Sequence, residues 1–332
     1  MMDTIKDFPI SIAEVIRARK PVYEHMQPTP LIQYDGLSAI LGVHAHVKHE
    51  NHNPTGSFKI RGGINLMSHL KANGIKGVIT FSTGNHGISI ASAASWFGMK
   101  AVVVVPENNN PSKNRIIRQA GAELIEAGST FEEASKVVES LCKTRGLYYV
   151  HPAEEPHLIN GVGTEFLEVM EDLPDVDAVI VPVGAGSEAA AAAVTLKAVK
   201  PEIEIYAVQA EKSPAAYHSW KEGRLLTAPN TTFAGGFATG AAYETPFGIY
   251  KAHLTDFIRL SEDELYEGIA LAGFYTRNLV EGAGGSTIMA AIKLKDQLQG
   301  KRVVLQFSGC NASPEEIRFA YQLPSFSNGY AA

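Results

Sequence analysis

The feature that most constrains this chain is a repeated exchange between two periodicities. Short β-branched runs give way to longer, often alanine-rich stretches, and the exchange continues along the whole sequence. "GVITFS" (77–82), "KAVVVVP" (100–106), "AELIEAG" (122–128) and "LYYVHP" (147–152) read as buried strands. Between them, "GISIASAASWFG", "SKNRIIRQAG" and "TFEEASKVVESLCKTRG" carry helical spacing and close on glycine. "DAVIVPV" (177–183), "EIEIYAVQA" (202–210) and "KRVVLQFS" (301–308) supply a second set of strands, again with helices between. Such alternation predicts an α/β fold with two open, mostly parallel twisted sheets flanked by helices. With 332 residues there is chain enough for two domains. The two strand sets place a small domain at 77–150 and a large one at 1–76 together with 151–332. No repeat, linker or low-complexity tract interrupts them.

Two glycine loops stand between a strand and a helix, where backbone amides and the helix dipole favour an anion. The first is "STGNHG" (82–87) and the second "GAGSE" (184–188). In the second, Gly184, Gly186 and Ser187 can cradle a phosphate, the hydroxyl adding a donor. Either loop alone is equally well a plain βα turn. The second also fits a dinucleotide pattern, Gly184-Ala185-Gly186-x-x-Ala189, with Glu211 near the end of the next strand. A nicotinamide-dependent oxidoreductase is therefore a rival reading, but it leaves Lys59 and "STGNHG" without work.

"NPTGSFKIRGG" (53–63) asks what Lys59 is for. Pro54 and Gly56 break regular structure, and Gly62 and Gly63 let the backbone approach something closely. An arbitrary lysine in such a turn is solvated; a held amine that attacks a carbonyl is the sharper alternative. "HAHVKHENH" (44–52) resembles a metal cluster at first sight. On a strand His44, His46 and His52 share one face and His49 does not, and no acidic or thiol partner falls at ligand spacing. A strand with polar outer residues is the better account, and no metal is expected. "FSGCN" (307–311) holds a serine and a cysteine but no nucleophile elbow. His86, inside a βα loop, reads as a structural histidine before it reads as a base.

A net charge of −6 leaves no basic footprint for nucleic acid. Two cysteines, Cys142 and Cys310, indicate a reducing compartment rather than a disulfide scaffold. "MMDTIKDFPISIAEV" has no apolar core of leader length, and no apolar run is long enough to span a membrane. A soluble cytoplasmic protein without membrane partners is expected.

Taken together, the motifs resemble the fold-type II pyridoxal-phosphate enzymes, of tryptophan synthase β-like architecture. The nearest branch is that of serine and threonine dehydratases with serine racemase. The resemblance runs from about residue 20 to 320 and rests on "NPTGSFKIRGG", "STGNHG", "GVGTEF" (161–166), "GAGSE" and "FSGCN", in family order. It implies pyridoxal 5'-phosphate as cofactor, an amino acid substrate and a homo-oligomer, a dimer. By resemblance Lys59 forms the internal Schiff base with the cofactor aldehyde and later takes the α-proton, and Phe58 packs against the pyridine ring. Asn85 bonds the ring hydroxyl, Gly184, Ala185, Gly186 and Ser187 hold the phosphate, and Ser308 meets the pyridine nitrogen. Ser82, Thr83, Gly84, Asn85 and His86 grip the substrate carboxylate. Thr83 matches the serine that acts as second acid in racemases. A neutral hydroxyl at Ser308 disfavours transamination, so loss of a β-hydroxyl is the expected reaction. The product is a 2-oxo acid with ammonia. Racemisation is the alternative activity; β-replacement fits less well, since its carboxylate loop usually has threonine where this chain has His86. A phosphate-binding module without catalysis is a third class, which gives Lys59 no role.

Several positions depart from the family pattern. The phosphate loop usually has four glycines and a leucine where this chain has Gly184-Ala185-Gly186-Ser187-Glu188. Gly235 stands at an aspartate position, Gly282 at a proline position and Val162 at a glutamine position. Gln209 stands where metal-activated members carry an acidic ligand, which argues against a divalent ion. These changes bear on which side chain is handled, phenylserine being one candidate. About twenty residues follow "SGCNAS", too few for a regulatory domain, so feedback through an appended domain is not expected.

Overall fold

The computed structural model describes residues 8–107, 109–128 and 131–330; the sequence readings at residues 1–7 and at Thr130 lie outside them. The strands are β1 (Leu31–Gln33), β2 (His44–Lys48), β3 (Gly77–Phe81), β4 (Lys100–Val105), β5 (Glu123–Glu126), β6 (Tyr148–Tyr149), β7 (Ala178–Pro182), β8 (Glu204–Ala210), β9 (Asp256–Leu260) and β10 (Arg302–Gln306). They form a six-stranded sheet in the order β1-β2-β10-β7-β8-β9 and a four-stranded sheet in the order β5-β4-β3-β6. All pairings are parallel except β1 on β2.

The chain divides into two compact units. One holds the described residues up to Met26 together with Lys59–Thr164, and the other holds Gln27–Phe58 and the described residues from Glu165 onward. These boundaries differ from 76/77 and 150/151. Helix Lys59–Ala72 belongs with the four-stranded sheet because Ile60, Ile64, Met67 and Leu70 are buried in the same core as Val78, Ile90, Val103 and Leu158. The amino-terminal helix Ile12–Tyr23 joins it through Val22. In the other unit, strands β7 and β8 are buried along almost their whole length, as parallel strands covered on both faces must be. Helices Glu262–Thr276 and Gly282–Lys293 meet there at bare backbone: a Cβ on Gly268 would stand 2.5 Å from the Gly285 carbonyl oxygen.

The nine-residue "HAHVKHENH" is not one strand. β2 ends at Lys48, and Glu50–His52 form a single 3₁₀ turn. The turn breaks the alternation, so His52 leaves the face of His44 and His46 and stacks on His49 with ring centroids 4.6 Å apart. Among the described residues no group of three or more His, Cys, Asp or Glu side chains is arranged to hold a metal ion. No helix among them is long and apolar enough to cross a membrane.

Candidate active site

The six-stranded unit carries the phosphate-loop candidate. β7 runs out through Val183 into Gly184-Ala185-Gly186, and helix Ser187–Val199 begins at once. A Cβ on Gly184 would lie 2.1 Å from the Gly236 carbonyl oxygen, so only glycine fits. Gly186 has φ of 95° and brings no side chain to cap the helix. The helix thus starts without a side-chain cap, at an end whose dipole favours an anion. The facing strip, 234–240, is tied down by the Ser213 hydroxyl, which donates to Phe237 O at 2.7 Å and lies 2.9 Å from Thr239 O. The residue whose carbonyl meets Gly184 is Gly236, next to the Gly235 that stands at the aspartate position. Only the register between two distant segments reveals it.

Ser308 follows β10 in the same unit. The segments 48–58 and 307–310 are zippered by backbone bonds: Phe307 N to Lys48 O (3.0 Å), Asn51 N to Phe307 O (2.9 Å), Phe58 N to Ser308 O (3.0 Å) and Cys310 N to Gly56 O (2.8 Å). Ser308 is 3% exposed, and its hydroxyl makes no hydrogen bond to another described residue. Phe58 is buried, and the next residue in the chain is Lys59. Glu281 was missed by sequence reasoning, which marked only the glycine after it. Its carboxylate lies 2.7 Å from where a Cβ on Gly309 would be and 3.5 Å from one on Gly236. Burial, with this carboxylate nearby, pushes the Cys310 thiol up to about 11. Gln209 is buried in β8, its Oε1 accepting from Tyr217 N at 3.0 Å.

The four-stranded unit carries the lysine and the carboxylate-loop candidate. Lys59 opens helix Lys59–Ala72 and is half-buried, and the Ser89 hydroxyl donates to its carbonyl at 2.7 Å. The glycines behind it allow close packing of helices. A Cβ on Gly63 would stand 2.4 Å from Ser89 Oγ, and one on Gly62 2.7 Å from Leu158 O. Gly161 similarly leaves room for the Arg61 carbonyl, 2.5 Å from where its Cβ would be. The buried Arg61 guanidinium donates to Thr164 Oγ1 at 3.1 Å.

In the loop after β3, the Ser82 hydroxyl accepts from Gly87 N at 2.9 Å and from Gly84 N at 3.3 Å, which braces the turn. Thr83 is exposed, Gly84 caps helix Asn85–Trp96 without a side-chain bond, and Asn85 is half-buried at its first position. His86 turns inward, 7% exposed, with Nε2 3.1 Å from Thr80 Oγ1. The Thr80 hydroxyl also lies 2.9 Å from Val150 O, so it links His86 to the end of the neighbouring strand segment. Burial, and then the positive charges of Lys59 and His151, lower His86 to about 3, so it is neutral near pH 7. Ser82 and His86 therefore hold the loop's shape with their side chains, and Ser82 N is itself tied to Val104 O at 3.1 Å.

The family model described as "Pyridoxal-phosphate dependent enzyme" matches residues 22–309. L-threonine ammonia-lyase of Thermotoga maritima is 34% identical over 304 residues, 91% of this chain and 76% of that one. Maize serine racemase superposes with a TM-score of 0.89 at 25% identity, covering 94% of this chain and 97% of the other. The processed form of threonine deaminase isoform 2 from Solanum lycopersicum gives 0.88 at 29% identity, covering 95% and 87%. Pyridoxal 5'-phosphate suits the residues present. The side-chain-free Gly184 and Gly186 at a helix start suit its phosphate, and the buried, unpartnered Ser308 hydroxyl suits a ring nitrogen.

Proposed function

The chain belongs to the pyridoxal-phosphate-dependent enzyme family, in its fold-type II dehydratase and racemase branch, and from that premise we propose that it is an ammonia-lyase for a β-hydroxy amino acid. Its substrate is L-threonine, L-serine or a phenylserine-like relative, and its products are a 2-oxo acid and ammonia. The observation that carries this reading is Ser308, a neutral hydroxyl that is 3% exposed and without a protein partner. When bound, the cofactor supplies an electron sink for the charge left on the α-carbon, and its phosphate is a proton source for the departing hydroxyl.

The chain's own residues do the rest. The Lys59 amine would hold the cofactor and would be the base that accepts the α-proton. Thr83, Gly84 and Asn85 present the start of a helix to the substrate carboxylate, with Ser82 and His86 fixing that turn from behind. Gly184, Ala185, Gly186 and Ser187 would hold the phosphate, Asn85 the ring hydroxyl, and Phe58 the ring face. Ser308 accepts or donates one hydrogen bond but cannot keep the ring nitrogen protonated as a carboxylate would. That limits the sink and favours expulsion of the β-hydroxyl over transamination.

Lys59→Ala in the full chain is the test. Turnover should vanish, and borohydride should no longer fix cofactor to the protein; near-normal ammonia release would remove Lys59 from the mechanism. Racemisation is the second reading. It needs an acid on the opposite face, and the β-branch of Thr83 restricts χ1 there. L-Serine turned over in heavy water should give pyruvate with little deuterated D-serine. Equal rates for the two products would make the protein a racemase.

A further inference from the structure

Directly ahead of the lysine motif, the six-stranded unit buries a charged network. Lys48 and Glu50 are fully buried, and Thr29, Asn53 and Glu168 nearly so. Lys48 Nζ donates to Glu168 Oε2 at 2.5 Å and to Thr29 O at 2.7 Å. Thr29 N donates to the same Glu168 oxygen at 3.1 Å, and the Thr29 hydroxyl donates to Glu50 Oε1 at 2.5 Å. The other Glu50 oxygen accepts from Asn53 Nδ2 at 2.6 Å. Asn53 is the first residue of "NPTGSFK", and its carbonyl accepts from Gly56 N at 2.8 Å.

Taking these charges out of water is costly, and apolar residues of similar volume would serve stability as well or better. What the network supplies is position. Between the 3₁₀ turn at Glu50–His52 and the helix that starts at Lys59 no regular element holds the chain, and Gly56 turns at φ of 70°. The segment is pinned at Lys48 by Glu168, at Asn53 by Glu50, and at Phe58 by the Ser308 carbonyl. Asn53 uses only its donor end, since its Oδ1 is buried without a hydrogen bond. A donor facing a carboxylate is what this joint requires.

We propose that Glu50, acting through Asn53, is a positioning residue for Lys59, setting where the reactive amine leaves the segment 53–58. The inference rests on the reading of Lys59 as the cofactor lysine. Its test has one readout that is independent of that reading, amide hydrogen exchange over residues 54–59 in cofactor-free protein.

Glu50→Gln leaves one acceptor oxygen for two donors, the Thr29 hydroxyl and Asn53 Nδ2, and removes the charge at the joint, and Asn53→Asp sets two carboxylates against each other. The double variant restores one donor and one acceptor in reversed order. Each single variant should raise exchange over 54–59 by roughly tenfold or more. It should also lower kcat by a similar factor with KM within about threefold, because a displaced amine loses rate rather than binding. The double variant should return both quantities to within about threefold of the parent. Unchanged exchange and kcat in the single variants, or losses that simply add in the double variant, would overturn the proposal. If Lys59→Ala kept its turnover, the lysine reading would fail while the exchange result still judged the joint.

Discussion

At the scale of single residues, the decisive quantity is charge at two neighbouring positions after β10. Ser308 offers the ring nitrogen a hydroxyl, whereas aspartate would offer a carboxylate that keeps that nitrogen protonated. Ser308→Asp should therefore deepen the electron sink. Elimination should slow by roughly tenfold or more, a barrier change of about 1.4 kcal/mol per factor of ten. Pyridoxamine phosphate should accumulate as the mark of abortive transamination, measured after denaturation. Unchanged kinetics and no pyridoxamine phosphate would remove Ser308 from the ring nitrogen. Two residues on, Cys310 is held up at about 11 by burial and then by the Glu281 carboxylate. Only the thiolate reacts with alkylating agents, so at neutral pH Cys310 should react about 300-fold more slowly than an ordinary thiol of pKa about 8.5. Its rate should climb tenfold per pH unit up to about pH 11, as followed by mass spectrometry of the Cys310 peptide. A plateau near pH 8.5 would contradict this.

Among the elements, the strand-to-helix turn at Gly184 leaves least room for change. A methyl group there would meet a backbone oxygen, Gly236 O, at 2.1 Å, and no rotamer change can relieve that. Gly184→Ala should push the 234–240 strip away from the loop and weaken cofactor binding by roughly tenfold or more, as measured by titrating the cofactor-free protein. Affinity unchanged in Gly184→Ala would show that the loop does not hold the phosphate. The sequence made this turn legible because a buried β-branched run, a glycine pair and an alanine helix follow one another directly. β3, β4, β7, β8 and β10 were legible for the same local reason. β1 has three residues, and β9 interrupts its apolar pattern with Asp256 and Arg259, so neither rises above the background. Gly236, Glu281 and the Lys48–Glu168 pair depend on which distant segments meet, and no local pattern carries that information. The unit boundaries escaped notice likewise, because helix Pro156–Asp172 looks uniform in sequence while the division falls inside it, between Thr164 and Glu165.

For the molecule as a whole, three inward-facing histidines couple folding to pH. Burial lowers all three. His86 falls to about 3 with help from Lys59 and His151, His157 to about 3 beside His69, and His49 to about 4 beside His52 and Lys48. In the unfolded chain each returns to an ordinary value of about 6.5. Between about pH 6.5 and 4 the unfolded state therefore binds protons that the native state refuses, and stability rises with pH across that window. Each such group contributes up to about 1.4 kcal/mol per pH unit, so the three together reach about 4 kcal/mol per pH unit. Domains have only about 5–15 kcal/mol to lose, so two pH units remove much of it. Urea midpoints of the cofactor-free protein should stay level from pH 8 to 7 and fall steeply from pH 6 to 4.5. His157→Phe isolates one contribution. The ring is stacked 3.8 Å from His69 and lies 4.2 Å from Phe8, a setting phenylalanine can share, and His157 Nδ1 makes no hydrogen bond to lose. The variant should lower the slope by about one proton, near a third of the total from these groups. If stability is as high at pH 5 as at pH 7, or if His157→Phe leaves the slope untouched, these rings are not buried neutral and the inward placement of His157 is wrong.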